Sequence, residues 1–243
     1  MKISNVLLFF IILILTLALS ETNAFSSYDI ALDMNSLPSA QGWTYVGNVL
    51  ESNAFSVSGG ILHQNTIDPN GNSETAAYYI QNANLVNSSF VFNMVARLNS
   101  EQFTGPANAY ACDVQINTGS EYIGFGLGAR HIQVIAGISN SQGHEIAYDT
   151  SQFHDYTVAF NSNTNIWTLS ADGTLIATEP AMPNATGMTN VISFGDGTAG
   201  PNANADYASF SFVQGDATPI PPTVWLFGSG LAGLLVLKRK YIG

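Results

Sequence analysis

Residues able to do chemistry are few in this 243-residue chain, and their spacing argues against most reactions. A glycosidase needs two carboxyl groups a few ångströms apart on one surface. Glu145 and Asp149 stand at i and i+4 and would share a strand face, but no acid stands between them, and Asp113 and Glu121 fall on separate segments. Cys112 is the only cysteine, which excludes an intrachain disulfide. It alternates with Tyr110, Val114 and Ile116, the pattern of a buried, inert thiol, and no basic partner stands near it in sequence to activate it. The four histidines, His63, His131, His144 and His154, lack metal-ligand spacing, and His154 is expected to pack with Tyr156. Gly124-Phe125-Gly126-Leu127-Gly128 is a G-x-G-x-G run without the helix a phosphate cradle requires. It is expected to put glycines on one sheet face, where a neighbouring sheet or a sugar chain approaches closely. Gly195-Asp196-Gly197-Thr198 and Asn202-Ala203-Asn204-Ala205-Asp206 gather oxygen donors of the kind calcium takes, but they lack a D-x-D-x-D-G loop and are ordinary turn formers as well. Calcium is therefore the one candidate ion. The sequence assigns no metal ligands, no other cofactor and no catalytic residues, and the expectation is a protein that is not an enzyme.

The elements that would position these groups are strands. In Ser89–Leu98, Phe90, Phe92, Met94, Ala96 and Leu98 alternate with Val91, Asn93, Val95 and Arg97. In His154–Asn161, His154, Tyr156, Val158 and Phe160 alternate with Asp155, Thr157, Ala159 and Asn161. Ile166–Ser170 and Thr174–Ala177 flank Ala171-Asp172-Gly173, an Asp-Gly hairpin signal, and Asn161–Thr164 supplies a turn before them, so three consecutive strands should form a meander. Further strands are expected over Trp43–Leu50, Gly60–Gln64, Ala77–Gln81, Ala109–Asn117, Tyr122–Leu127, His131–Ala136, Glu145–Tyr148, Val191–Phe194 and Ala205–Val213. Helical periodicity is almost absent. Many short strands separated by Gly, Asn and Ser turns predict an all-β, two-sheet antiparallel sandwich.

The two ends read differently. Met1-Lys2 followed by the apolar run Val6–Leu19 has the form of a secretory signal peptide, residues 1–24, with cleavage expected after Ala24 or Ser20. The alternative is an uncleaved N-terminal anchor. At the other end a proline knot (Pro219, Pro221, Pro222) precedes the apolar stretch 223–237 and the basic stop Lys238-Arg239-Lys240. Those 15 residues would make a helix about 22 Å long, short against a hydrocarbon core of roughly 30 Å. Trp225 at one interface and the basic residues at the other favour a transmembrane segment with a cytoplasmic C-terminus. Residues 25–216 would then be exported, and they are enough for one domain with a sizeable core. All three lysines, Lys2, Lys238 and Lys240, lie in the terminal segments. Between residues 25 and 216 only Arg97 and Arg130 are basic, against every acidic residue of the chain except Glu21. Such a field excludes nucleic acid as a partner and suits a hydrated extracellular setting.

The tail resembles the PEP-CTERM class of bacterial sorting signals, in the variant with a V-P-L-P-A motif followed by W-L-F-G-S-G-L. Trp225-Leu226-Phe227-Gly228-Ser229-Gly230-Leu231 matches without a gap, and Pro219 and Pro221 supply the P-x-P core. Thr218 replaces the first valine and Pro222 the alanine, and the glutamate of the name-giving triplet is missing. The resemblance, confined to about residues 218–240, implies an exosortase-like processing enzyme as partner. It also implies export through the inner membrane to the surface or matrix of a Gram-negative bacterium, with membrane anchoring before processing. The segment 217–243 is thus expected to be a sorting tail.

Residues 25–216 resemble concanavalin A-like, laminin G-type jelly rolls. The likeness is carried by Leu37–Trp43, Ser58-Gly59-Gly60-Ile61-Leu62, Phe153-His154-Asp155-Tyr156, Trp167-Thr168-Leu169-Ser170-Ala171-Asp172-Gly173, Ser193–Gly197 and Asn204–Tyr207. The superfamily includes lectins, glucanases and adhesion modules. The expectation is a non-enzymatic surface or matrix protein that binds polysaccharide in an exopolysaccharide or biofilm. The alternatives are a divergent jelly-roll glycoside hydrolase and a purely structural surface domain.

Overall fold

The computed structural model describes residues 29–68, 75–83, 85, 88–102, 112–135, 143–184, 187–197 and 201–215. The signal segment 1–24, the sorting tail 217–243 and its spanning stretch 223–237 lie outside the described residues. Among the described residues no helix is long and apolar enough to cross a membrane.

Among the described residues, two antiparallel sheets of eight strands each enclose the core. The first runs β13 (Thr174–Pro180), β12 (Ile166–Ala171), β11 (His154–Asn161), β6 (Phe90–Gln102), β16 (Asn202–Gln214), β4 (Ile61–Asn65), β3 (Phe55–Ser58), with β1 (Asp29–Ala31) also paired to β16. The second runs β10 (His144–Ala147), β9 (His131–Ile135), β8 (Glu121–Gly128), β7 (Cys112–Asn117), β15 (Val191–Asp196), β5 (Ala77–Asn82), β2 (Thr44–Gly47), with β14 (Met182–Pro183) on β8. The predicted meander is β11-β12-β13, and its Asp172-Gly173 loop has both residues at positive φ (50° and 74°), as the two-residue hairpin turn matched to strand twist requires.

Period-two alternation puts aromatic and aliphatic residues between the sheets. Phe90, Phe92, Met94, Ala96 and Leu98 of β6 are buried, while Val91, Asn93, Val95 and Arg97 are half-exposed on the other side. Trp43 meets Phe194 of the second sheet and Phe210 of the first edge-on, with centroids 5.3 and 5.1 Å apart. Such aromatic pairs add about 1 kcal/mol each beyond the area they bury.

Two features depart from simple alternation. Strand β16 begins at Asn202, ahead of the expected Ala205. Its pairing with β6 also slips twice, once between Asn204 and Ala205 and once between Tyr207 and Ser209. The second slip inserts Ala208, so that Tyr207 and Phe210 both face the core although they are three positions apart. The short strand β3 and the single helical turn Glu51–Ala54 before it had no periodic signal, being four residues each.

Candidate functional site

Three polar regions are built on these strands. On the second sheet, Val114, Ile116, Phe125, Leu127 and Phe194 face the core, and Asp113, Tyr122, Gly124, Gly126, Gln133 and Ser193 face away from it. These outward residues are buried too. A Cβ at Gly124 would come within 3.1 Å of Tyr122 Oη and 3.2 Å of Ile135 Cδ1, and those two side chains form a small apolar cluster separate from the core. The glycine run is therefore occupied by the protein's own side chains; it is not an open sugar groove.

Asp113, only 3% exposed, receives hydrogen bonds from Gln115 Nε2 (2.5 Å) and the Gly197 N–H (3.3 Å). Burial pushes its carboxyl up to about 6 even though both bonds act in the opposite direction. Glu121 cannot be its partner in glycoside cleavage. Asp113 pairs with Gly126 and Asn117 with Tyr122, so Glu121 sits some five residues along, roughly 16 Å at about 3.3 Å per residue. Paired glycosidase carboxyls lie closer than about 10 Å. Glu145 and Asp149 fail for another reason: β10 ends at Ala147, so the two share no strand face.

The second region is an open cleft of about 650 Å³, lined among others by Asn99, Ser100, Arg130, Tyr148, Asp149 and Ser151. Arg130 stands in the two-residue turn between β8 and β9 at φ 126°, a conformation side chains other than glycine rarely adopt. Its N–H donates to the Gly128 carbonyl (2.8 Å), and its own carbonyl accepts the Tyr148 N–H (3.0 Å). The Thr150 hydroxyl also donates to the Gly128 carbonyl (2.7 Å), which locks the turn from below. Asp149 accepts from the Ser151 hydroxyl (2.7 Å) and N–H (3.0 Å), bonds that hold its carboxyl below the ordinary aspartate value. A cation, an anion, a hydroxyl and an aromatic side chain thus line one space.

The third region lies on the outer face of the first sheet. Register places Asp206 opposite both His63 on β4 and Arg97 on β6. His63 Nδ1 is 2.6 Å from Asp206 Oδ1, and Arg97 donates to Oδ2 through Nε (2.9 Å) and Nη2 (2.7 Å). Burial works to raise the Asp206 carboxyl, yet hydrogen bonds from Asn99, His63 and Arg97 outweigh it and hold the group below its ordinary value.

The calcium expectation placed Asp196 and Asp206 together. The structure turns them apart: Asp196 points between the sheets, where Thr66 Oγ1 donates to it (2.5 Å), and Asp206 is engaged by two basic side chains on the outside. Among the described residues no three His, Cys, Asp or Glu side chains converge as a metal site. His154 packs edge-on beside Tyr156 (6.1 Å between centroids) as expected, and its Nδ1 also pairs with Asp172 Oδ2 (2.6 Å) in the hairpin turn. The sorting residues Pro219, Pro221, Trp225–Leu231 and Lys238–Lys240 lie outside the described residues. Neither the Arg130 cleft nor the His63–Asp206 pairing was found from sequence. The first depends on a strained turn, the second on partners 143 residues apart, and neither leaves a spacing to read.

No protein-family model matches the chain, and no curated protein sequence matches it. Solved structures do. A carbohydrate esterase from the Shiga toxin-encoding bacteriophage phi24B superposes with a TM-score of 0.55 at 11% identity, covering 77% of this chain and 98% of that one. Peanut lectin gives 0.53 at 10% identity (78% and 97% covered). Winged bean acidic lectin, solved with methyl-α-D-galactose, gives 0.53 at 10% identity (78% and 99% covered). The sandwich is a lectin-type jelly roll. At these identities the likeness concerns the fold, which hosts many activities.

Proposed function

We propose that the chain is an exported glycan-binding protein of the bacterial surface or extracellular matrix, which holds a polysaccharide in the Arg130–Asp149 cleft and does not cut its glycosidic bonds. One observation carries the reading: an open cleft on a lectin-type jelly roll presents Arg130, Tyr148, Asp149 and Ser151 together, with Arg130 held in a backbone conformation that its side chain disfavours. Sugar hydroxyls need paired donors and acceptors, and the cleft supplies both. Acid pairing of the glycosidase kind is not found between Asp113 and Glu121 or between Glu145 and Asp149. The strongly acidic, lysine-free segment 25–216 suits a hydrated matrix.

Delivery rests on the sequence of the two ends: the signal peptide 1–24, and the sorting tail 217–243 with its Trp225–Leu231 motif, membrane segment 223–237 and basic stop, read by an exosortase-like enzyme. Deleting residues 218–243 should release the protein into the medium; unchanged surface retention would refute the sorting role. A polysaccharide array with the full-length chain tests binding, and a reducing-end assay on the bound polysaccharides tests cleavage. Binding without new reducing ends is the expected result. New reducing ends would make the protein a glycoside hydrolase, and a blank array would make it a structural domain.

A further inference from the structure

Four adjacent strands of the first sheet each add one polar side chain to its outer face: His63 of β4, Asp206 of β16 and Arg97 of β6 stand opposite one another, and Ser58 of β3, two residues along from the position opposite His63, reaches back to it. Ser58 Oγ lies 2.8 Å from His63 Nε2, and His63 Nδ1 lies 2.6 Å from Asp206 Oδ1. Exposure falls along the row, from the exposed Ser58 through His63 (33%) to Asp206 (3%). A hydroxyl within hydrogen-bond reach of one imidazole nitrogen, with a buried carboxylate on the other, is the arrangement that turns serine into a nucleophile. Arg97 fixes the second carboxylate oxygen through two bonds, and its guanidinium in turn rests 4.5 Å over the Phe153 ring. The acid is thereby oriented before any substrate arrives.

We propose that Ser58, His63 and Asp206 form a hydrolytic triad that cleaves short acyl esters of hydrophilic alcohols. The assignment stands on this row alone and is independent of glycan binding in the Arg130 cleft. Access to the nucleophile is open: Gly59 and Gly60 form the tight turn directly after Ser58 (φ 60° and 74°), and a Cβ at Gly59 would meet nothing within 4 Å. A pocket of about 410 Å³ adjoins His63 and Asp206 and is bounded also by Ser56, Asn65, Asn99 and Asn204; Ser58 is not part of its lining. Amide and hydroxyl groups dominate that wall, which suits a polyhydroxylated alcohol beside His63 and offers little apolar surface to a long acyl chain.

In the reaction Ser58 Oγ attacks the ester carbonyl carbon, and a new C–O bond forms as His63 Nε2 takes the hydroxyl proton. The carbonyl electron pair moves to its oxygen. Collapse of that tetrahedral species breaks the bond to the alcohol, which leaves with the proton from His63. Water, deprotonated by the same nitrogen, then attacks the acyl-Ser58 ester, releases the carboxylic acid and restores the hydroxyl. Asp206 holds the Nδ1 proton and stabilises the imidazolium through both transfers. Arg97 acts through Asp206 and is a positioning residue.

The test uses the full-length chain with p-nitrophenyl acetate as substrate and diisopropyl fluorophosphate as trap. Peptide mass mapping should place one phosphoryl adduct on Ser58. Ser58→Ala, a change at an exposed side chain with the melting temperature unaltered, should lose the adduct and reduce hydrolysis roughly a thousandfold. His63→Ala should do the same. Ser39→Ala, at an exposed serine outside both the row and the pocket, should keep both adduct and rate. For Arg97, Arg97→Ala should lower kcat with KM held, and Arg97→Lys should restore part of it. A wild-type chain left unlabelled, an adduct on another serine, or a Ser58→Ala rate equal to wild type would each overturn the proposal and leave the row a structural polar ladder.

Discussion

Cys112 Sγ lies 3.0 Å from Tyr207 Oη, joining a strand of one sheet to a strand of the other across the core. Tyr207 donates its own proton to Gln64 Oε1 (2.7 Å), which leaves the thiol to donate to the phenol oxygen. Both groups are buried. Burial pushes the Cys112 thiol up to about 12 and the Tyr207 phenol upward as well, so neither ionises near neutrality.

The first prediction follows from that environment. A thiol reacts as thiolate, and Cys112 has almost none in the folded protein at pH 8. Ellman's reagent should therefore find no reactive thiol in the native chain and one per chain in guanidinium. A native thiol that reacts at the rate of free cysteine would contradict the burial of Cys112.

Asp113 gives a pH signature of unusual sign. Its folded pKa is raised from 3.8 to about 6 by burial. Below about pH 3.8 the group is neutral in folded and unfolded chains alike. Between the two values the folded chain keeps a proton the unfolded chain has released, so stability falls as pH rises through this window, by about 3 kcal/mol in total. The lowered carboxyls of Asp206 and Asp172 act the other way, and their stabilisation is lost as pH falls. Comparison with Asp113→Asn isolates the Asp113 contribution. The variant keeps an acceptor for the Gly197 N–H, and the Gln115 amide turns over to meet the new donor. In urea titrations it should be more stable than wild type by about 1–3 kcal/mol at pH 8 and nearly equal at pH 3.5. Equal stability at both pH values would show that Asp113 is not buried as an isolated acid.

The sequence disclosed what depends on local period and concealed what depends on register. Phe90–Leu98 and His154–Phe160 alternate strictly, and their buried faces are the ones that alternation marks. The Asp172-Gly173 turn carries its own signal, since few residue pairs tolerate two successive positive φ values. Cys112 could be placed correctly because its neighbours at i±2 are apolar. The glycine run misled in part: close approach was legible at Gly124, but the approaching groups are Tyr122 and Ile135 of the same sheet. The row Ser58–His63–Asp206–Arg97 was out of reach. It needs β3, β4, β16 and β6 side by side, and a one-residue slip, such as the one at Asn204/Ala205 in the β16–β6 pairing, decides whether Asp206 meets Arg97 at all. No turn residue or spacing encodes that alignment.

Arg130 separates stability from binding. At φ 126° its backbone costs about 1–3 kcal/mol relative to an unstrained residue, and that conformation persists because the Gly128 and Tyr148 hydrogen bonds over-determine the turn. Arg130→Gly removes the strain and the guanidinium together. The greater freedom of glycine in the unfolded chain takes back about 0.5–1 kcal/mol, leaving a net gain near 1 kcal/mol, or a melting temperature about 2–4 °C higher. Arg130→Ala removes the guanidinium but keeps the strain, so it should melt no higher than wild type. Both variants should bind the array-selected polysaccharide at least tenfold more weakly if the cleft is the glycan site. The pairing of results carries the argument: weaker binding with higher stability in Arg130→Gly is what a strained recognition residue produces, whereas wild-type binding in both variants would remove Arg130 from the site and with it the reason for placing glycan in this cleft.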